Sequence, residues 1–333
     1  MIDQPRTPTP RLGPDACSRS WEDAGHPVWG TAAIARFWVA LEQPGPWGRD
    51  AFTESWLDPT LGVELQRACQ DAGGRLVLVR SVGDRRSRAD RAPRQVFVAG
   101  GLADRPWLVT GAVVDPAELQ GLPLDLLAGP DPQPVLAALP GTRLTDGGIV
   151  LVCTNGKRDV CCAVRGRPVA LEASRARPGQ VWECTHTGGH RFAATGIGLP
   201  SGHTAARLTP ELAVRLVEAE GRRELAPELL DLAHDRGRSH LPLTHQAAEG
   251  WVRGATGETS LTALTCFSSG DDWDDEVTVT HVDGRVWRLH VHKEPTGEQL
   301  VDSCGGGPRP AHAFVVDERG PGEATPAGSP GRD

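Results

Sequence analysis

The sequence predicts an α/β protein, and three observations carry that reading. Apolar runs of strand length, such as Leu76-Val-Leu-Val-Arg80 and Ile149-Val-Leu-Val-Cys153, alternate with segments of helical character. The helical segments open on Asp58-Pro59, Asp115-Pro116 and Thr209-Pro210, each a capping residue followed by a proline in the first turn. Toward the C-terminus the pattern changes to period-two alternation on both sides of Asp283-Gly284, the signature of an antiparallel hairpin.

Residues 1–25 and 319–333 are rich in proline, glycine and charge and read as disordered tails. Three blocks lie between them. In the first, 26–140, Ala35–Leu41 reads as a strand and Pro44–Gly48 as a loop. A helix then runs from Asp58-Pro59 to Gly73-Gly74, followed by strands at Leu76–Arg80, Gln95–Ala99 and Trp107–Val113 and a short capped helix at Asp115-Pro116. In the second, 141–236, the strand Ile149–Cys153 leads into a loop and a helix over Arg167–Arg177, with Pro168 in its first turn. Gln180–Cys184 is a strand, Phe192–Leu199 and His203–Leu208 form a hairpin, and Thr209-Pro210 starts a last helix. The third block, 237–318, is a helix over Leu243–Arg253 followed by a small antiparallel β appendix.

The order strand–helix–strand–strand–strand–helix in the second block is that of a thioredoxin-like unit. The first block has the same order, with Gly48-Arg49-Asp50 in the place of Lys157-Arg158-Asp159. This suggests a degenerate thioredoxin-like repeat. Ser81–Gln95, the counterpart of the second block's loop after Cys184, holds no histidine or cysteine, so only the second unit would carry a cofactor.

Composition narrows the function. The chain has 333 residues and a net charge of −8, which gives nucleic acid no electrostatic attraction. No apolar run reaches the roughly 20 residues of a membrane span. The N-terminus lacks the apolar segment of a secretion signal, so the expected setting is cytoplasmic. A reducing cytoplasm argues against a disulfide framework for the eight cysteines. Cys17 falls in the expected tail, Cys69 and Cys266 read as buried apolar residues, and Cys304 sits in a glycine-rich loop.

The chemistry concentrates in the second block. Cys153-Thr-Asn-Gly-Lys-Arg-Asp-Val-Cys-Cys162 is followed by Cys184-Thr-His-Thr-Gly-Gly-His190. Two thiolates and two imidazoles make a four-ligand set: Cys153, Cys162, His186 and His190. The spacing C-x8-C then H-x3-H does not fit a zinc finger, whose first pair is closer. It suits a [2Fe–2S] cluster with mixed cysteine and histidine ligation. Cys161, next to Cys162, competes for the second thiolate position, and Cys184 is a weaker competitor. Gly188 and Gly189 let the chain turn tightly between the histidines. Lys157, Arg158 and Arg191, with Asp159, would shape the surround, offsetting cluster charge and offering a basic docking patch, or simply a solvated loop.

These same segments, together with Leu41-Glu-Gln-Pro-Gly-Pro-Trp-Gly-Arg-Asp-Ala51, resemble the sucrase/ferredoxin-like family over roughly residues 25–320. The resemblance implies a thioredoxin-like ferredoxin domain binding one [2Fe–2S] cluster through Cys153, Cys162, His186 and His190. It implies an electron carrier working with a redox partner protein rather than a stand-alone enzyme. Two other functions stay open on the residues: a non-redox metal-binding or iron–sulfur sensing module, with zinc or a cluster as a structural element, and a sucrose-cleaving glycosidase, which needs a carboxylate pair. His290 and His292 share a strand face, and the acidic run from Asp271 lacks the spacing of a calcium loop.

Overall fold

The computed structural model describes residue 13, residues 16–84, 86–87 and 92–319. Its first half comprises α1 (Cys17–Ala24), β1 (Trp38–Glu42), α2 (Ala51–Glu54), α3 (Pro59–Asp71), β2 (Arg75–Ser81), β3 (Arg94–Gly100), β4 (Trp107–Val113), α4 (Gln133–Ala138) and β5 (Thr142–Thr145). The second comprises β6 (Ile149–Cys153), α5 (Val160–Ala176), β7 (Val181–Cys184), β8 (Gly196–Leu199), β9 (His203–Ala205), α6 (Pro210–Arg222) and β10 (Asp235–Arg238). Then follow α7 (Leu243–Thr256), β11 (Leu264–Phe267), β12 (Asp274–His281), β13 (Val286–Val301) and β14 (Pro308–Glu318).

One ten-stranded sheet joins the two halves in the order β10-β9-β8-β6-β7-β2-β1-β3-β4-β5. Each half has a parallel pair, β1–β2 or β6–β7, and continues through antiparallel strands. The same order and the same strand directions therefore occur twice. The halves meet at β2 and β7, an antiparallel pair in which Arg80 stands opposite Glu183. The two side chains form an ion pair at 2.5 Å across this junction, and Arg80 stacks over Trp47.

Alternation along the strands sorts the core into layers. In β1, Val39 and Leu41 face the layer under α3, while Trp38 and Ala40 face a second layer shared by both halves. That shared layer contains Phe97 and Trp182, packed edge to face, and also Cys153, Cys162 and Cys184. The helix starts read from the sequence are capped: Asp58 accepts from the backbone N–H of Leu61, Thr209 from that of Leu212, and Asp115 closes a capping box with Glu118.

The helix after the ligand loop begins at Val160, seven residues ahead of the expected Arg167. Asp159 fixes this start by accepting from the Cys161 N–H at 2.9 Å, and Pro168 lies inside the helix. Cys17–Ala24, expected within the N-terminal tail, form α1. Trp21 of α1 packs edge to face on Phe192, and Arg207 donates to the Trp21 carbonyl. Residues 320–333, in the expected C-terminal tail, lie outside the described residues.

The appendix is a four-stranded antiparallel sheet, β11-β12-β13-β14, with α7 laid on it through Ala247, Ala248 and Val252. A buried triad fastens α7 to β10: Glu249 accepts from Arg238 at 2.8 Å and from Arg253 at 2.6 Å. Among the described residues, no helix is long and apolar enough to cross a membrane.

Candidate metal centre

Strand β6 delivers Cys153 to the end of the sheet, and β7, its parallel neighbour, delivers the histidine segment. Parallel strands put their C-terminal ends side by side, so the two ligand segments leave the sheet at one place. Cys162 comes back to that place on the first turn of α5. The Sγ atoms of Cys153 and Cys162 and a ring nitrogen of His186 all lie within 4.8 Å of one another. The His190 ring follows at 5.0 Å, centroid to centroid, from that of His186. The four residues expected to ligate are thus neighbours in space.

The electrostatics suit soft-metal ligation. The Cys162 thiol donates toward Cys153 and, against the cost of burial, holds the Cys153 thiol well below its ordinary range, with His186 adding to the effect. The same pairing, with burial, keeps Cys162 above its ordinary range. Burial lowers the His190 pKa, opposed by Asp159, which favours the neutral imidazole that binds metals. The Nδ1 atoms of both His186 and His190 are buried and make no hydrogen bond in the structure. A buried, unpaired ring nitrogen is costly unless something accepts its lone pair. The donor set therefore fits a metal group.

Residues 28–230 match the sucrase/ferredoxin-like family. The chain belongs to that family. No curated protein and no solved structure gives a significant match. The family match contains all four of Cys153, Cys162, His186 and His190.

The two competing cysteines of this family member stand elsewhere. Cys184 pairs with Cys153 in the strand register but lies outside the group of Cys153, Cys162 and His186, and burial pushes its thiol well above its ordinary range. Cys161 turns away from Cys162 and joins Cys17, Asp159 and Cys304 in a separate group. Hydrogen bonds from Cys17, Cys304 and Ser18 bring the Cys161 thiol to about 6 against burial.

Asp159 lies between the two groups, its Oδ2 3.6 Å from His190 Nε2. A carboxylate at the far nitrogen of a ligating imidazole orients the ring. Gly188 and Gly189 both have positive φ, 91° and 74°. A Cβ on Gly189 would stand 2.5 Å from the Arg236 guanidinium. Arg236, on β10 and fully buried, donates to the Gly188 carbonyl at 3.0 Å and to Thr31 Oγ1 at 3.0 Å. It sets the shape of the histidine turn.

Lys157 and Arg158 are exposed. Arg158 lines a hollow of about 210 Å³ with Arg49, Arg75, Asn155 and His186. Arg191 does not join them. Its guanidinium lies over the rings of Trp21 and Phe192 and reaches Asp302 at 3.6 Å, which makes it part of the packing of α1. A larger hollow, about 760 Å³, is lined by Asp104, Asp131, Asp146 and Arg223 and by none of the cysteines or histidines.

Three features of the site were outside the reach of sequence reading. Arg236 sits in Asp-Arg-Gly-Arg, a run with no strand character. Cys17 and Cys304 lie 144 and 143 residues from Cys161, beyond any local spacing rule. The presence of eight cysteines was the one available signal.

Proposed function

We propose that this protein is an electron carrier holding one [2Fe–2S] cluster on Cys153, Cys162, His186 and His190, and that it exchanges electrons with a protein partner. The observation that carries this reading is the convergence of two thiols and His186, with His190 against His186, both imidazoles having unpaired buried Nδ1 atoms and His186 lining a hollow that holds three arginines. When bound, such a cluster supplies a one-electron couple, and neutral imidazoles in place of two thiolates put it in or near the range of roughly −150 to +300 mV.

The chain's own residues divide the remaining work. Cys153 and Cys162 supply negative charge from a layer that excludes water. His186, half-buried like His190, lines the hollow. Asp159 orients His190, and Arg236 holds the turn between the histidines. Arg49, Arg75 and Arg158 outnumber the one carboxylate of the hollow, Asp50, and make it positive on a chain of net charge −8. That local reversal of sign favours a partner with an acidic face.

The test is the visible and electron paramagnetic resonance spectrum of anaerobically purified protein. A brown protein that bleaches with dithionite, with two irons and two acid-labile sulfides at these residues, supports the reading. Colourless protein with zinc bound at Cys153 and Cys162 overturns it.

A further inference from the structure

A second group of metal-ligand type lies beside the first, and it is assembled from three distant parts of the chain. Cys17 opens α1, Cys161 lies in the first turn of α5, and Cys304 sits in the turn between β13 and β14. Their sulfurs form a triangle: Cys161 to Cys304 is 3.0 Å, Cys17 to Cys161 is 3.5 Å, and Cys17 to Cys304 is 3.6 Å. Asp159 closes the figure, its carboxylate oxygens 3.8 and 3.9 Å from Cys17 Sγ.

We propose that Cys17, Cys161, Cys304 and Asp159 form a closed tetrahedral site for one zinc ion, separate from the cluster site. Metal–sulfur bonds of about 2.3 Å place the corners of a tetrahedron about 3.8 Å apart. The Asp159 oxygens stand at that spacing from Cys17, the Cys17 sulfur stands slightly inside it from the other two, and the Cys161–Cys304 pair, at 3.0 Å, has to spread as the ion enters. A disulfide would use only two of the three sulfurs and leave the third thiol and the carboxylate crowded against it. Three thiolates and no open position select zinc over magnesium or calcium.

The surroundings favour anionic sulfur at Cys161, whereas the hydrogen bond with Cys161 holds the Cys17 thiol, and burial the Cys304 thiol, above the ordinary range until an ion binds. The Ser18 hydroxyl points at Cys161 Sγ from 3.1 Å. The Cys17 and Cys161 side chains both sit at helix N-termini, where the helix dipole favours negative charge. Asp159 Oδ1 accepts from the Cys161 N–H, and Oδ2 accepts from the Cys304 N–H at 2.9 Å and the Ser303 hydroxyl at 3.1 Å. A carboxylate has about four lone-pair positions; these three donors leave one, on Oδ1, for a metal, and the 3.6 Å contact of Oδ2 with His190 is electrostatic and takes none. The thiol protons leave to solvent as the ion binds, and Cys304, half-buried on an exposed turn, gives the ion its entry.

The family match ends at residue 230 and starts at 28, so it contains Asp159 and Cys161 but neither Cys17 nor Cys304. The site is a staple between segments inside and outside the matched range. It ties α1 and the β13–β14 turn to the start of α5, one residue from Cys162. Its work is structural: it fixes α1 over the His190 turn and limits motion at the second thiolate ligand.

Metal analysis of the full chain tests this independently of the cluster. Wild type purified without added chelator should contain one zinc per chain. Cys17→Ser and Cys304→Ser should each lose it while iron content stays unchanged. Cys153→Ser should lose iron and keep zinc, and in that colourless background Co²⁺ should give the intense d–d bands of a tetrahedral thiolate site, absent from the Cys153→Ser, Cys304→Ser double variant. The cobalt readout keeps the test valid if a single variant folds poorly. Hydrogen exchange of the α1 amides should quicken when zinc is stripped from wild type. Absence of both zinc and cobalt uptake, or a disulfide among Cys17, Cys161 and Cys304 in anaerobically isolated protein, would overturn the proposal.

Discussion

Cys161 and Cys162 are neighbours in sequence and face different groups. Cys162 stands with Cys153 and His186, while Cys161 Sγ lies 3.0 Å from Cys304 Sγ. The cause is the helix: successive residues of an α-helix point about 100° apart. With α5 capped at Asp159, its first turn presents Cys162 to the apolar layer and Cys161 to α1.

This predicts opposite outcomes for two minimal changes. Cys162→Ser, like Cys153→Ser, should abolish the visible chromophore. Cys161→Ser should keep it and lose zinc instead. Spectra and metal content of the three variants, purified side by side, decide the matter. Retention of the chromophore in Cys162→Ser and its loss in Cys161→Ser would reverse the assignment.

Much of this arrangement was legible in the chain. Ile149–Cys153 coincides with an observed strand because its apolar run is buried on both faces, and Trp107–Val113 because Trp107, Val109, Gly111 and Val113 line one buried face while Ala112 on the other is exposed. The proline-marked starts of α3 and α6 coincide with observed caps because that signal is local. Strand β10 was not legible. Its Asp-Arg-Gly-Arg is fully buried, and each charge is met by a partner that only the tertiary fold supplies: His203 for Asp235, Thr31 and Gly188 for Arg236, Glu249 for Arg238. Strand β5 failed for the opposite reason, being a short polar edge strand with little to bury. The choice between Cys161 and Cys162 depended on the helix phase, and Pro168 had drawn the expected start several residues too late.

Arg236→Met should loosen the histidine turn without touching a ligand. It leaves the Gly188 carbonyl and Thr31 without their donor inside the protein, at a cost of about 1–3 kcal/mol. The measurement is the rate at which the cluster is lost to a chelator, followed by absorbance. That rate should rise while the initial spectrum stays like wild type. An unchanged rate would mean that the turn keeps its shape unaided.

Arg158→Glu, on the rim of the hollow, should slow electron exchange with an acidic partner by about tenfold at low ionic strength, where steering acts. The effect should shrink in high salt, because the screening length falls to about 3 Å at 1 M. Stopped-flow reduction across a salt series checks it. Equal rates for wild type and variant at every salt concentration would remove the hollow as a docking surface.

Acid should unfasten the appendix through Glu249. Burial alone would raise its carboxyl, but the guanidinium groups of Arg238 and Arg253 override that and bring it down to about 2. In the unfolded chain the same group titrates at about 4.3. The folded value is depressed, so the stabilisation is fully present above about pH 4.3 and is lost as pH falls toward 2. Glu249→Gln removes the charge at every pH and leaves two buried cations facing an amide. Breaking a buried pair from one side costs about 3–5 kcal/mol. Denaturant unfolding at pH 7 should show that loss, and the difference between variant and wild type should narrow as the pH is lowered toward 2. A variant as stable as wild type at pH 7 would show that the triad merely fills space between α7 and β10.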